Sequence, residues 1–110
     1  MDKKLLKEIN HLHAEVCGGL SDSKRIAILY ALFEGSKNVM ELAEILETPQ
    51  PTISRHLKIL RDRGMVVATR SGANIIYTLG DKRIIKALDL LREVLGDHLS
   101  KRSAIAEAIS

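Results

Sequence analysis

The chain carries two segments, one near each end, in which hydrophobic residues recur every three or four positions. Such spacing places them along one face of an α-helix, so amphipathic helices are predicted over residues 3–17 and 82–100. The apolar positions of the first helix are Leu5, Ile9, Leu12 and Val16. Those of the second are Ile84, Leu88, Leu91 and Leu95. Gly18 and Gly19 are expected to end the first helix, and Gly96 to break or kink the second, because glycine is a poor helix former.

Three further helices are predicted between these two. The first of them is almost continuously apolar and is expected to be the central core helix. A short helix follows from the capping residue Asn38 and buries Val39 or Met40. After a proline-containing turn, another helix runs to Gly64. Two helices joined by so short a turn indicate a helix-turn-helix over residues 38–63.

The hydrophobic period changes after this unit. Two β-prone runs flank the segment Arg70–Asn74, whose Ser-Gly pair favours a tight turn. A β-hairpin is therefore predicted over residues 65–79, and a hairpin that directly follows a helix-turn-helix is a wing. The predicted fold is mainly α with a small β-hairpin, a winged helix-turn-helix of about five helices plus the wing, forming a single domain over residues 1–110.

Composition agrees with an ordinary globular domain. The chain has 110 residues, of which 45% are hydrophobic and 28% charged, which is enough for one core. No apolar run approaches the roughly 20 residues that cross a bilayer, and the start of the chain is charged rather than signal-like. A cytoplasmic location without a membrane partner is expected. One cysteine and four scattered histidines form neither a disulfide nor a zinc-finger pattern, so folding is expected to need no cofactor.

The net charge of +3 is unevenly distributed along the chain. Residues 34–47 are mostly acidic, and their ionisable side chains are Glu34, Lys37, Glu41, Glu44 and Glu47. Residues 48–70 are mostly basic, and theirs are Arg55, Lys58, Arg61, Asp62, Arg63 and Arg70. The second stretch is a candidate surface for a polyanion, although a solvated helix face is the simpler alternative.

The second helix of the predicted helix-turn-helix has one apolar and one polar side. At about 100° per residue, Ile53, Leu57 and Leu60 share one stripe. The residues predicted to contact DNA are Gln50, Pro51, Thr52, Ser54, Arg55, Lys58 and Arg61. Arginine can fork onto guanine, glutamine can pair with adenine, and lysine can neutralise phosphate, so this side is predicted to enter a major groove. An ordinary amphipathic surface helix is the alternative.

The hairpin tip adds Arg70, Ser71 and Asn74 as predicted phosphate or minor-groove contacts. A basic wing lies beside the duplex when the recognition helix occupies the major groove. For each of these residues a merely solvated hairpin is the alternative. The predicted partner is double-stranded DNA.

The apolar stripes of the two terminal helices exceed what a compact winged core of this size can cover. A second copy of the chain is predicted to cover the rest, giving a homodimer through the first and last helices. Two-fold symmetry would place two recognition helices about one duplex turn apart, which matches a palindromic operator in a promoter.

Several motifs along the chain form a set: Leu20–Ile26, Glu41–Ala43, Ser54–Lys58, Leu60, Arg61, Gly64 and Val66. They resemble the ArsR/SmtB regulators over most of the chain. The resemblance implies a winged-helix dimer that docks on an imperfect palindrome, usually as a repressor released by a metal ion or another cue. Two features depart from the family pattern. Glu47 stands where a glycine would usually follow the third helix, and Pro49 with Pro51 stiffens the turn.

The metal sites that the resemblance would imply are not matched. Residues 39–45 hold no cysteine for the family's Cys-x-Cys-x-x-Cys pattern, and the last helix lacks the Asp-x-His start of a second site. The remaining sensor candidates are His13 and Cys17, four residues apart on one helix face, with His11 and, from a partner chain, His98. Regulation by a metal ion bound to these residues therefore remains an open alternative.

Cys17 allows two other interpretations. It borders an apolar stripe, so it can be a small core residue. An exposed thiol with a lowered pKa, or one that meets its symmetry mate, could instead act in redox sensing. His56 lies near the packing stripe of its helix and is predicted to be a buried or capping histidine rather than a ligand.

The sequence thus predicts a sequence-specific DNA-binding transcriptional regulator, a dimeric repressor of a palindromic operator released by an unidentified cue. Arg55 and Gln50 are the predicted base readers, and Lys58 and Arg70 the phosphate anchors. The alternative is a winged-helix module that binds protein and has no sequence-specific affinity for DNA. An enzyme is not expected, because the chain shows no nucleophile–base pair, phosphate-binding glycine loop or acid pair.

Overall fold

The computed structural model describes residues 1–109, so the last residue of the predicted domain over 1–110 lies outside the described residues. The helical elements are α1 (Lys3–Leu12), a π-helical turn (His13–Cys17), α2 (Gly18–Leu20), α3 (Ser23–Phe33), α4 (Val39–Ile45), α5 (Gln50–Asp62) and α6 (Arg83–Ile109). The strands are β1 (Val66–Ser71) and β2 (Asn74–Leu79). Because α1, the π-helical turn and α2 follow one another without a break, the described chain forms five helical units and one hairpin. The predicted winged helix-turn-helix fold is confirmed.

The glycine pair near the N-terminus does not end the first helical unit, contrary to the prediction. Gly18 has α-helical torsion angles (φ −59°, ψ −39°), and the unit ends only at Ser21. The glycines instead make room for other side chains. A Cβ at Gly19 would lie 3.0 Å from Cδ of Arg63 and 3.0 Å from Sδ of Met65. The predicted stop was wrong because a helical glycine also permits close packing.

The last helix is longer than predicted. α6 continues through Gly96 to Ile109, whereas the sequence pattern predicted a helix over residues 82–100 with a break or kink at the glycine. Glycine costs a helix only about 1 kcal/mol relative to alanine. The leucines, alanines, lysine and arginine on either side are strong helix formers, and they outweigh that cost.

The hydrophobic core is built around α3, as predicted, with Ile28, Leu29, Ala31 and Leu32 buried. The buried hydrophobic residues that surround it are Leu42, Ile53, Leu57, Leu60, Met65, Val66, Tyr77, Ile85 and Leu88. Leu88 is only 5% exposed, so it belongs to the core of the protomer rather than to the predicted dimer interface. Ile84 and Val16, from the same predicted interface, are half-buried and pack against the core.

Two local contacts position the helix-turn-helix. The Asn38 side chain accepts the backbone N–H of Glu41 at 2.8 Å, and Oε1 of Glu41 accepts the backbone N–H of Asn38 at 3.0 Å. This capping box defines the start of α4. Lys37, immediately before it, exchanges two backbone hydrogen bonds with Tyr77 of β2, at 3.1 and 2.8 Å. The helix-turn-helix is therefore tied directly to the wing.

The wing is an antiparallel hairpin in which Ser71 lies opposite Asn74 at the tip. Gly72 in the two-residue turn has φ +62°, a conformation that favours glycine. At the base of the hairpin, a Cβ on Gly80 would run into the carbonyl oxygen of Gly64. Only glycine fits where the two backbone segments approach so closely.

Candidate nucleic-acid interface

α5 turns most of its polar residues away from the core. Its buried residues are Ile53, Leu57 and Leu60. The exposed residues of α5 are Gln50, Pro51, Ser54, Arg55, Lys58, Arg61 and Asp62. Thr52 is half-buried, and its Oγ1 accepts a hydrogen bond from Nη2 of Arg55 at 3.4 Å. Six of the seven predicted α5 contacts are therefore accessible to a ligand on one helix.

Lys58 has an ion-pair partner in the free protein. Its Nζ lies 3.1 Å from Oδ2 of Asp62, one helical turn further along, and both side chains are exposed. Exposed pairs of this kind are weak and screened by salt. The ammonium group of Lys58 therefore remains available for a stronger anion such as a phosphate.

An open groove of about 350 Å³ connects the start of α5 with the wing. Residues that line it include Asn38, Met40, Gln50, Ser54, Asn74, Ile75 and Tyr77. The groove brings three of the predicted DNA contacts, Gln50, Ser54 and Asn74, onto one continuous surface. Helix-turn-helix and wing thus present a joint face rather than two separate ones.

Two exposed apolar side chains belong to this groove and were missed by sequence reasoning. Met40 is 64% exposed and Ile75 47% exposed. The expectation that Val39 or Met40 is buried holds only in part, since Val39 is half-buried. The period of two along β2 puts Ile75 on the same side as buried Tyr77, so it predicts burial of Ile75 rather than its exposure. Nothing local distinguishes Met40 from a core residue.

The tip of the wing carries the other predicted contacts. Arg70, Ser71 and Asn74 are all exposed. Nε of Arg70 donates to the carbonyl oxygen of Gly72 at 3.3 Å, which holds the stem of this side chain against the turn. The tip therefore presents a cation and two small polar groups to solvent.

Arg63 does not belong to the exposed basic surface, although the sequence groups it with the basic stretch. It is the residue that ends α5. Its Nη1 donates to the carbonyl oxygens of Ala14 and Glu15 in the π-helical turn, the latter at 3.3 Å. Its guanidinium is thus directed at the N-terminal helical unit.

His56 lies on the inner side of α5, with a side chain that is 14% exposed. Nη1 of Arg25 lies 3.3 Å from its Nδ1, and Oδ1 of Asp22 lies 3.9 Å from its Nε2. Asp22 also accepts the backbone N–H of Lys24 at 2.8 Å. This hydrogen bond lowers the pKa of Asp22, and the nearby His56 acts in the same direction. His56 is therefore a packed histidine, in agreement with its predicted role.

Comparison with known proteins assigns these elements to a family. Residues 22–67, which run from the residue that caps α3 into β1, match the family described as bacterial regulatory protein, arsR family. The uncharacterized HTH-type transcriptional regulator MJ1325 of Methanocaldococcus jannaschii is 38% identical over 82 residues, which cover 74% of this chain and 92% of that protein. The chain belongs to the ArsR family.

Two other relatives show how far the likeness extends. The HTH-type transcriptional repressor SmtB of Mycobacterium tuberculosis is 40% identical over 78 residues, which cover 71% of the ArsR-family chain and 58% of the repressor. The chain thus spans little more than half the length of that relative. The NMR structure of the homodimeric winged helix-turn-helix domain of Mb0332 from Mycobacterium bovis has a TM-score of 0.76 and 24% identity, covering 90% of this chain and 91% of that one. At this identity the likeness shows the fold.

The sensor candidates of this ArsR-family protein all lie at the surface of the protomer. His11, His13, Cys17 and His98 are exposed. The interpretation of Cys17 as a core residue of the protomer is therefore wrong. Within residues 1–109 of one chain, no three His, Cys, Asp or Glu side chains are close enough together to hold a metal ion. A sensor site that includes His98 of a second chain stays a prediction.

The terminal helices of the ArsR-family protein leave apolar side chains uncovered. On α1 these include Leu5, Ile9 and Leu12. On α6, Leu91 is 61% exposed and Leu95 55% exposed. In the described part of the chain, no helix is both long enough and apolar enough to span a membrane.

Proposed function

We propose that this ArsR-family protein is a homodimeric transcriptional regulator that recognises a DNA operator in a sequence-specific manner. The observation that carries the proposal is the groove in which Gln50 and Ser54 of α5 lie beside Asn74 of the wing. One surface thereby offers amide and hydroxyl groups for base edges, with Arg55 and Lys58 exposed on the same helix. These are the groups that a recognition helix uses in a major groove.

The proposal divides the contacts by chemistry. Arg55 and Gln50 pair with base edges, and exposed Met40 offers an apolar contact to a thymine methyl group. Lys58 and Arg61 neutralise phosphates and fix the register on the duplex. Further contacts to bases or phosphates come from Pro51, Thr52 and Ser54, and contacts to the backbone or minor groove from Arg70, Ser71 and Asn74.

Dimer formation completes the proposed site. The exposed stripes of α1 and α6 are the surface that a second copy would cover, and Mb0332 is described as homodimeric. A two-fold axis between the copies would present two α5 helices to successive major grooves, so the operator would be palindromic.

The proposed action is repression that a cue relieves. SmtB of Mycobacterium tuberculosis is named a repressor. A regulatory metal ion would bind between chains at His13 and Cys17, with His11 and the partner's His98 as further ligands. If zinc titration releases the wild-type protein from its operator, and the Cys17→Ser variant no longer responds to zinc, this site is supported. If zinc leaves the operator affinity of both proteins unchanged, this site is excluded.

The expected location of the protein is the cytoplasm, with the DNA.

Selection of bound duplexes from a random DNA pool tests the proposed function. Recovery of a palindrome is expected. Arg55→Ala should then relax preference at one base pair per half-site, at a cost of about 1–3 kcal/mol. Lys58→Ala is the matched control, because it should weaken all sequences alike and reduce the slope of log affinity against log salt by about one per phosphate contact.

Two outcomes would contradict the proposal. Equal losses on operator and random DNA for Arg55→Ala would mean that this arginine contacts only the backbone. A pool with no enriched sequence, together with salt-insensitive binding, would instead favour the winged-helix module that binds protein.

A further inference from the structure

Arg63 at the end of α5 occupies a site made by the π-helical turn. In a regular α-helix the carbonyl oxygen of Ala14 would accept the N–H of Gly18, but here that N–H bonds to the carbonyl oxygen of His13. The Ala14 carbonyl instead accepts Nη1 of Arg63, which also lies 3.3 Å from the carbonyl oxygen of Glu15. The change of helical period therefore supplies an acceptor for this guanidinium.

The glycine pair after the turn makes room for the same side chain. A Cβ at Gly18 would lie 3.1 Å from Nη1 of Arg63, and one at Gly19 would lie 3.0 Å from its Cδ. Both distances are shorter than ordinary van der Waals contact. Arg63 thus fits a site formed by the π-helical turn and the two glycines. Its acceptors, the carbonyl oxygens of Ala14 and Glu15, lie 49 and 48 positions earlier in the sequence.

A second arginine joins the same segment to the middle of α5. Arg25 donates from Nε to the carbonyl oxygen of Gly19 at 2.7 Å and from Nη2 to that of Gly18 at 3.3 Å. Its remaining terminal nitrogen lies 3.3 Å from Nδ1 of His56. The recognition helix is therefore held against the N-terminal helical unit at two points, one in its middle and one at its end.

From these contacts we infer that Arg63 is a positioning residue for DNA recognition, an inference that rests on the proposed function. It sets the orientation of the base-reading side of α5 relative to α1, without touching DNA itself.

The test compares Arg63→Met with the matched control Arg61→Met, using the operator recovered by selection and a random duplex. Arg63→Met should lower the ratio of operator to random affinity about three- to thirtyfold and leave the salt slope unchanged, because no phosphate contact is lost. Arg61→Met should weaken both duplexes alike and reduce the salt slope by about one. A merely structural role of Arg63 would lower the unfolding midpoint and leave the affinity ratio intact.

Gly18→Ala provides a second variant that keeps every charge and suits the helical backbone. Its methyl group would lie 3.1 Å from Nη1 of Arg63 and push the guanidinium a few tenths of an ångström. The affinity ratio should therefore fall in the same direction, but by less than in Arg63→Met. Gly96→Ala in α6, where an added Cβ meets no atom within 4 Å, should leave the ratio unchanged. If the wild-type protein enriches an operator and both Arg63→Met and Gly18→Ala keep the full ratio, this inference alone is overturned. A reduced salt slope in Arg63→Met would also overturn it. A wild-type protein that enriches no duplex would overturn the proposed function and the inference with it.

Discussion

Glu47 is the only non-glycine residue with a positive φ angle, 48°, among residues 1–109. In this conformation the Cβ of an L-residue approaches the following carbonyl oxygen, which costs roughly 1–2 kcal/mol. The next residue, Thr48, stabilises the same turn by two hydrogen bonds to α4 and its C-cap. Its N–H donates to the Ala43 carbonyl at 3.0 Å, and its Oγ1 donates to the Leu46 carbonyl at 2.8 Å. The sequence departs from the family pattern at the one position where the short turn between α4 and α5 favours glycine.

Replacing this residue should therefore stabilise the protein. Glu47→Gly is expected to raise the free energy of unfolding by up to about 1 kcal/mol, because the relief of backbone strain exceeds the extra flexibility of glycine in the unfolded chain. Chemical denaturation measures the change. Glu44→Gly, the same substitution inside α4, should lower stability by about 1 kcal/mol. Equal losses in the two variants would show that the backbone at Glu47 is not strained.

At the scale of the elements, the side chain of Asp81 stabilises the start of α6. Oδ1 of Asp81 accepts the backbone N–H of Arg83 at 2.9 Å, and the guanidinium of Arg83 returns to the same carboxylate, with Nη2 2.7 Å from Oδ2. The side-chain hydrogen bonds from Arg83, followed by its backbone N–H, lower the pKa of Asp81 from 3.8 to about 2. Folding therefore favours the ionised carboxylate of Asp81.

This pKa shift predicts a pH-dependent contribution to stability. A lowered pKa means that the contribution is complete above the unfolded value of 3.8 and is lost as pH falls toward about 2. The difference in unfolding free energy between wild type and Asp81→Asn should stay constant from neutral pH to about pH 5 and shrink below about pH 4. Denaturation at a series of pH values measures it. Asp97→Asn, the same change in the middle of α6, is the control. A difference that persists unchanged to pH 3 would contradict the shift.

At the scale of the whole molecule, the core of one protomer does not cover all of the apolar side chains on α6. Its core covers Leu88 but not Leu91 or Leu95, one and two turns further along α6. Tyr30 marks the edge of the covered part, since its Oη donates to Oδ1 of Asp89 at 2.6 Å and Arg92 lies 5.2 Å from the centre of its ring. The apolar surface beyond this edge matches the proposed contact with a second copy.

A charge placed on that surface should separate the dimer. Leu95→Glu removes about 1.5 kcal/mol or more of apolar burial from each copy, so the dimer dissociation constant should rise at least about a hundredfold. Sedimentation at several concentrations measures it. Ser100→Glu introduces the same charge about 140° around α6 and should leave the assembly state unchanged. A Leu95→Glu protein that remains dimeric at low concentration would place the interface elsewhere.

The sequence by itself determined the features of this protein that depend on residues close together along the chain. The spacing of Ile53, Leu57 and Leu60 predicts α5 and its polar side, and the turn around Gly72 predicts the wing. Side-chain period and turn chemistry are local properties, so the fold and most of the candidate DNA face could be predicted without coordinates.

Only the tertiary structure decided which side chains are buried and which partners they contact. Leu88 and Leu91 lie one turn apart on the same predicted stripe, yet one is buried and the other exposed. Arg61 and Arg63 are two positions apart, yet the first faces solvent and the second binds a carbonyl 49 positions away. Burial and hydrogen-bond partners depend on the element that packs opposite, and no local pattern of apolar and polar residues contains that information.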